Sequence, residues 1–228
     1  MPKKVLVITA SVGYPASVGG DFTKALKATG FAGDVAVLSW ERGPLPFLTE
    51  RVCVYRQKVL QSQDAGYDTI ITTDLRDVLF QGNPEGIEHT DLDLFLEDDR
   101  MKIKDCPWNS SWVRSGWGQE GLDLVGDNRV SCAGVVIGKR AGVLAYYEKM
   151  WAMCCAGYGH VVDQGIHNYL IWTGQLAGVP MRLVGNEDGE VYTVQYVDGI
   201  TVRNHKIYNR GGKAPTIVHQ YDRHLAKL

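Results

Sequence analysis

No uninterrupted apolar run in the 228 residues approaches the ~18–20 that span a bilayer. After the basic start, the apolar stretch VLVITA is too short for the core of a secretory leader, and no small-residue cleavage site follows it. Neither sign of charge is in excess. The 24 Lys+Arg stand against 26 Asp+Glu, for a net charge of −2, which argues against a dedicated nucleic-acid binder needing a basic surplus for phosphates. The five cysteines, Cys53, Cys106, Cys132, Cys154 and Cys155, are odd in number, and none forms a C-x-x-C pair. That argues against a disulfide framework or a zinc site, and the expectation is buried, reduced thiols in a cytoplasmic protein. Also missing is a G-x-G-x-x-G after the first strand, since Gly13, Gly19 and Gly20 do not fit that spacing; a P-loop is absent too.

With 45% hydrophobic and 22% charged residues, the chain reads as globular rather than disordered. Its length suits one domain, 1–228, with a first half (1–100) and a second half (101–228) sharing the work. Val5–Thr9 and Val35–Leu38 read as strands, with a helix over Ser17–Thr29 between them. Thr49 is placed to cap a helix running to about Asp64, with Gly66 as its stop, and Tyr67–Asp74 is a strand ending in an acid. Leu92–Leu96 and Cys132–Ile137 are further strands, and Arg140–Cys155 and Asp163–Trp172 are helices. Asp98–Gly121 reads as a long polar-aromatic loop, and Met181–His219 as short strands and turns. The expected fold is α/β, with a mixed, mostly parallel central sheet flanked by helices.

The strand Ile70-Ile71-Thr72-Thr73 ends in Asp74-Leu75-Arg76-Asp77. Ligands of parallel sheets bind beyond the carboxyl ends of strands. Two carboxylates there suit a hard divalent cation, and Arg76 suits a phosphate or an aspartate. A surface ion-pair cluster explains the same residues equally well in isolation. Three more segments shift the balance. Small residues open the strand at Ala133-Gly134-Val135, Asp163, Gln164 and Asn168 share a helix start, and His219-Gln220-Tyr221-Asp222-Arg223 follows a late apolar run.

In this order the segments resemble the GT-A fold glycosyltransferases, over most of the chain. The resemblance implies a nucleotide-diphospho-sugar fold and transfer of a sugar, UDP-sugar most readily, to a carbohydrate acceptor. Thr9 and Ala10 with Tyr14 look like the strand that grips the nucleotide, and Arg56 like a donor-contacting arginine. Asp74-Leu75-Arg76-Asp77 is similar to the family's D-x-D metal site, with the aspartates three apart rather than two. Ala133 and Gly134 match a sugar-binding strand, with Cys132 where Asn is usual. Asp163-Gln164 through Asn168 resembles the D-Q-x-x-x-N helix of retaining, glycogenin-like members. His219 matches a late metal-site histidine. At finer grain the segment from Asp74 to Gln81, with the late His219–Arg223 cluster, is similar to viral capsid-glycan rhamnosyltransferase domains.

The resemblance implies Asp77 and His219 as metal ligands, with Asp74 on the metal or the ribose. An imidazole ligand favours Mn2+ over Mg2+. Asp163 is the first candidate to face the partly cationic sugar, with Asp222 second, and Gln164 joins them as a catalytic candidate. Retention is favoured over inversion. Asp163 also fits a plain helix cap. Trp108, Trp112 and Trp117 suit stacking on an acceptor glycan or anchoring of a loop, and Glu97-Asp98-Asp99 suits either acceptor hydroxyls or a solvated strand end. A nucleotidyltransferase is the alternative enzyme, but Ser11–Pro15 carries no cation for a triphosphate. A non-catalytic carbohydrate-binding protein is the other alternative, and it leaves the aspartates unused.

Overall fold

The computed structural model describes residues 3–198 and 200–227. The chain runs through β1 (Val5–Ala10), α1 (Ala16–Ala28), β2 (Asp34–Leu38), α2 (Phe47–Gln61), β3 (Thr69–Thr73), β4 (Val78–Phe80) and β5 (Leu92–Leu96). It continues through α3 (Pro107–Val125), β6 (Ser131–Gly138), α4 (Arg140–Met153), α5 (Asp163–Trp172) and β7 (Met181–Val184). Four short strands complete it: β8 (Val191–Thr193), β9 (Thr201–Arg203), β10 (Lys206–Tyr208) and β11 (Ile217–His219).

Six strands form a mixed sheet in the order β2-β1-β3-β6-β5-β7. The pairs β1–β2, β1–β3 and β5–β7 are parallel, and β6 runs antiparallel to both its neighbours. The arrangement is compatible with a Rossmann-like α/β fold. Because β6 lies between β3 and β5, the division at residue 100 is not a structural boundary. No described helix is long and apolar enough to cross a membrane.

Strand alternation divides the core. Leu6, Ile8, Ile70, Leu92 and Leu94 meet Val52, Tyr55, Val143, Met150 and Leu170 of α2, α4 and α5 on one face. Val5, Val7, Ile71 and Ile137 meet Phe22 and Leu26 of α1 on the other. That second face is completed by Phe80, Val191 and Ile217, from a small sheet ordered β4-β11-β8.

Several helix boundaries shift from the sequence expectation. Helices α1 and α2 start behind Pro15 and Pro46, without side-chain caps. The Thr49 hydroxyl therefore does not cap; it donates to the Gly159 carbonyl at 2.5 Å. The α2 helix stops at Gln61, ahead of a short turn and a left-handed Gly66. Helix α4 ends at Met153 and widens into one π-type turn, Cys154–Tyr158.

The expected loop over 98–121 is corrected. Most of it belongs to α3, which is broken at Gly118, where φ is 64°. The Cys106 sulfur accepts from the Asn109 amide, Pro107 opens the helix, and Asn109, Ser110, Val113, Leu122 and Val125 are buried. Ser, Gly and Asn here are small residues on a packed helix, so packing overrides local propensity. Of the cysteines, Cys106 and Cys132 are buried as expected, whereas Cys155 is exposed.

Polar side chains fasten α5 to the start of β6. His167 is fully buried, with Nδ1 2.8 Å from the Tyr146 hydroxyl and Nε2 2.9 Å from Ser131 Oγ. Burial pushes its pKa down to about 3. The unfolded chain therefore takes up a proton near pH 6.5 that the folded chain refuses. His167 should cost stability progressively as pH falls below about 6.5, and His167→Gln should lose less stability than wild type between pH 7 and 5 in urea titrations. Parallel pH slopes for the two proteins would refute this.

Candidate metal and substrate site

The carboxyl ends of β1, β3 and β5 and the amino end of β6 share one edge of the sheet. Asp74 and Asp77 leave β3 there, and His219 arrives at the end of β11, which pairs with β4. One ligand atom from each of the three lies within 4.8 Å of the others. Asp74 Oδ2 is 3.2 Å from His219 Nε2, and Asp77 Oδ1 is 3.8 Å from it. Ligand atoms around one Mg2+- or Mn2+-sized ion stand about 3 Å apart, so small side-chain adjustments satisfy a common ion. The three residues fit such a cation.

The surroundings support that fit. The buried His219 places Nδ1 3.3 Å from the Cys132 sulfur. A partner on Nδ1 fixes the ring and directs Nε2 towards an ion, which is how histidine ligands are commonly oriented. Burial pulls the His219 ring down, but Cys132 and Asp74 beside it carry its pKa well above the usual range. Burial raises Asp77, with His219 offsetting only part of this. Burial also raises Asp74, yet Arg51 and His219 outweigh it and hold that carboxyl well below the usual range.

Arg51 is the functional residue that spacing missed. It lies on α2 and pairs with Asp74 Oδ1 at 2.5 Å and with Asp163 Oδ2. Burial opposes its charge, but Asp163 and Asp74 prevail and keep it firmly protonated. Arg56, expected to contact the donor, instead reaches Glu148 of α4 at 3.3 Å. The two arginines are five residues apart, so they leave the helix in different directions. The signal that could have favoured Arg51 is its place in the first turns of the helix, at the sheet edge that carries Asp74.

Asp163 is the first residue of α5 rather than its cap; Oδ1 accepts from the Gln164 amide at 2.9 Å. Gln164, the other catalytic candidate, lines the larger cavity and also braces the backbone. Its Oε1 accepts from the Ala133 amide at 2.7 Å, and its Nε2 donates to the Ser131 carbonyl at 2.7 Å. The ladder between β5 and β6 jumps from Leu94–Val136 to Phe95–Cys132, leaving a bulge at Ala133, Gly134 and Val135. Gln164 satisfies the backbone that this bulge frees, and Asn168 bonds both the amide and the carbonyl of Ser131.

Two cavities meet at Asp74 and Arg51. One, of about 160 Å3, is lined by Ala10, Tyr14, Phe47, Arg76 and Asp77. The other, of about 240 Å3, is lined by Ala133, Gly134, Asp163, His219, Trp108 and Trp112, among others. Thr9 is fully buried in β1 and lines neither. Asp222 lines neither cavity and pairs with Arg76 at 2.9 Å, so it does not stand with Asp163 as a catalytic carboxylate. Trp117 is corrected too. Its ring stacks on Tyr169 at 3.8 Å and on Tyr158 at 4.9 Å, so it anchors α3 to α5 rather than facing a ligand.

A comparison with protein-family models gives no match, and a comparison with curated proteins gives none at a significant level.

Gly134 is fixed by geometry. A Cβ there would sit 2.5 Å from His219 Nε2 and 2.8 Å from Asp74 Oδ2. Both belong to buried or ion-paired groups with little room to yield. Gly134→Ala should lower Mn2+ affinity at least tenfold in calorimetric titration, in the range seen when groups supporting metal ligands are lost. Wild-type affinity in that variant would show that His219 and Asp74 do not have to hold their present places.

Proposed function

We propose that this protein is a divalent-metal-dependent glycosyltransferase of the GT-A type, which moves a sugar from a nucleotide-diphosphate donor, a UDP-sugar first, to a carbohydrate acceptor. One observation carries the reading. Asp74, Asp77 and His219, from distant parts of the chain, converge at the sheet edge where two cavities join. A donor whose diphosphate lies at that junction can extend its nucleoside into one cavity and its sugar into the other. Mn2+ or Mg2+ at the three residues would supply Lewis-acid neutralisation of the departing diphosphate.

The remaining roles fall to the chain's own groups. Tyr14 and Ala10 line the nucleoside side, and Arg76 brings a half-exposed guanidinium within reach of phosphate. Ala133 and Gly134 present backbone and small side chains to the sugar. Asp163, held by Arg51, faces the sugar cavity and stabilises positive charge as it develops at the anomeric carbon. Its fixed pairing suits electrostatic stabilisation better than proton abstraction, which favours retention over inversion. Trp108 and Trp112 offer aromatic faces at the mouth of the sugar cavity, where the acceptor enters.

The test is a panel of UDP-, GDP- and dTDP-sugars with Mn2+, read by nucleotide release and by thermal stabilisation. UDP-sugars should stabilise the protein and release UDP only with metal. Asp77→Ala should lose at least about 100-fold in Mn2+-dependent UDP affinity while keeping its unfolding temperature within a few degrees. No response to any nucleotide diphosphate overturns the proposal, and undiminished metal-dependent binding in the variant removes Asp77 from the site.

A further inference from the structure

Three consecutive acids, Glu97, Asp98 and Asp99, follow β5, and their surroundings differ sharply. Asp98 accepts from Arg100 at 2.9 and 2.8 Å and from Arg210 at 2.6 Å. Asp99 accepts from Arg129 at 2.7 Å. Both are spent on holding loops together. Glu97 is only 4% exposed, and its Oε2 is buried with no hydrogen-bond partner among the described residues. It lines the sugar cavity together with Trp108, Asn109, Trp112 and Tyr196.

A buried carboxyl oxygen without a partner costs free energy that the fold must offset elsewhere, and such a group calls for an explanation. The metal triad does not include it. Trp108 and Trp112 stand on successive turns of α3 with ring centroids 6.4 Å apart, and Trp108 is 61% exposed. Flat apolar rings beside an unfilled acceptor match the two sides of a sugar, its C–H face and its hydroxyl edge. Charge narrows the class further. Asp74 and Asp163 are matched by Arg51 and His219, whereas Glu97 has no ion-pair partner among the described residues. An anionic ligand would find no ion-pair partner at Glu97 and would face a buried carboxyl oxygen that only a donor can satisfy.

We propose that Glu97 is the acceptor anchor: its carboxylate accepts hydrogen bonds from hydroxyls of a neutral carbohydrate stacked on Trp108 and Trp112, and it disfavours uronic or otherwise anionic sugars. Calling this sugar the acceptor rests on the glycosyltransferase reading; the binding itself does not.

The test titrates methyl glucoside, methyl galactoside, methyl rhamnoside and methyl glucuronide by saturation-transfer NMR, with and without UDP and Mn2+. Wild type should bind at least one neutral glycoside and not the glucuronide. Glu97→Gln should weaken neutral binding at least about tenfold, as expected for losing a hydrogen bond to a charged acceptor, and should admit the glucuronide. Trp112→Ala should weaken the same neutral glycoside. Neutral binding unchanged in E97Q, glucuronide binding equal to neutral binding in wild type, or no glycoside binding at all would each overturn the anchor. Thermal unfolding checks that E97Q folds. E97D, which withdraws the carboxylate by one methylene, should lose neutral binding as well and serves in its place. A separate titration of UDP with Mn2+ keeps the two ideas apart: failure there sinks the glycosyltransferase reading, while the glycoside result still judges Glu97.

Discussion

Arg51 is a single, largely buried cation shared by two aspartates from distant parts of the chain, and the site is arranged around it. Unpaired, the buried Asp163 would be an uncompensated charge at this sheet edge, and removing one partner of such a group commonly costs about 3–5 kcal/mol. The pairing therefore dictates that α2, the end of β3 and the start of α5 come together. It also sets the electrostatics. With Arg51 on one oxygen and His219 on the other, Asp74 stays ionised despite its burial. An ion entering between Asp74, Asp77 and His219 meets in Asp74 a carboxylate already charged and already placed.

The second constraint is backbone satisfaction. The bulge in β6 moves Ala133 and Gly134 out of the β5 ladder, and their exposed amides and carbonyls need partners. Gln164 takes the Ala133 amide and the Asp74 amide donates to the Gly134 carbonyl, while the fully buried Asn168 holds the amide and carbonyl of Ser131 next to the bulge. These side chains belong to the site although they need touch no ligand. They hold the small-residue wall against which His219 packs, and the missing Cβ of Gly134 is what lets that ring sit beside Asp74.

Charge is distributed unequally along the rim. The clusters formed by Asp98 with Arg100 and Arg210, and by Asp222 with Arg76, are closed on themselves and tie the C-terminal segments to the sheet. Around the larger cavity, matching is incomplete. Burial raises the Glu97 carboxyl to about 7 even with His219 and Cys132 nearby. Polar groups left short of partners at a cavity are where a ligand gains most by binding.

Most of the framework was legible in the sequence. Buried strands announced themselves as short β-branched runs, and α5 was read to its end residues although Asp163 turned out to be its first residue rather than its cap. The order of Asp74, Asp77, Gly134, Asp163 and His219 was enough to group them. Other features were beyond sequence reasoning, each for a physical reason. Helix α3 looked like a loop because its small polar residues are tolerated only once Ile103, Val113 and Val130 form a core beneath them. Arg51 and Arg56 are equivalent as letters, and only helical rotation against the sheet decides which one meets Asp74. Gln164 carries an amide that the β6 bulge, a register event between distant strands, engages at both its oxygen and its nitrogen. Residue types determined which chemistry was available to this protein. Tertiary structure decided which groups remained free to perform it, because pairing among buried polar groups is settled only when distant segments meet.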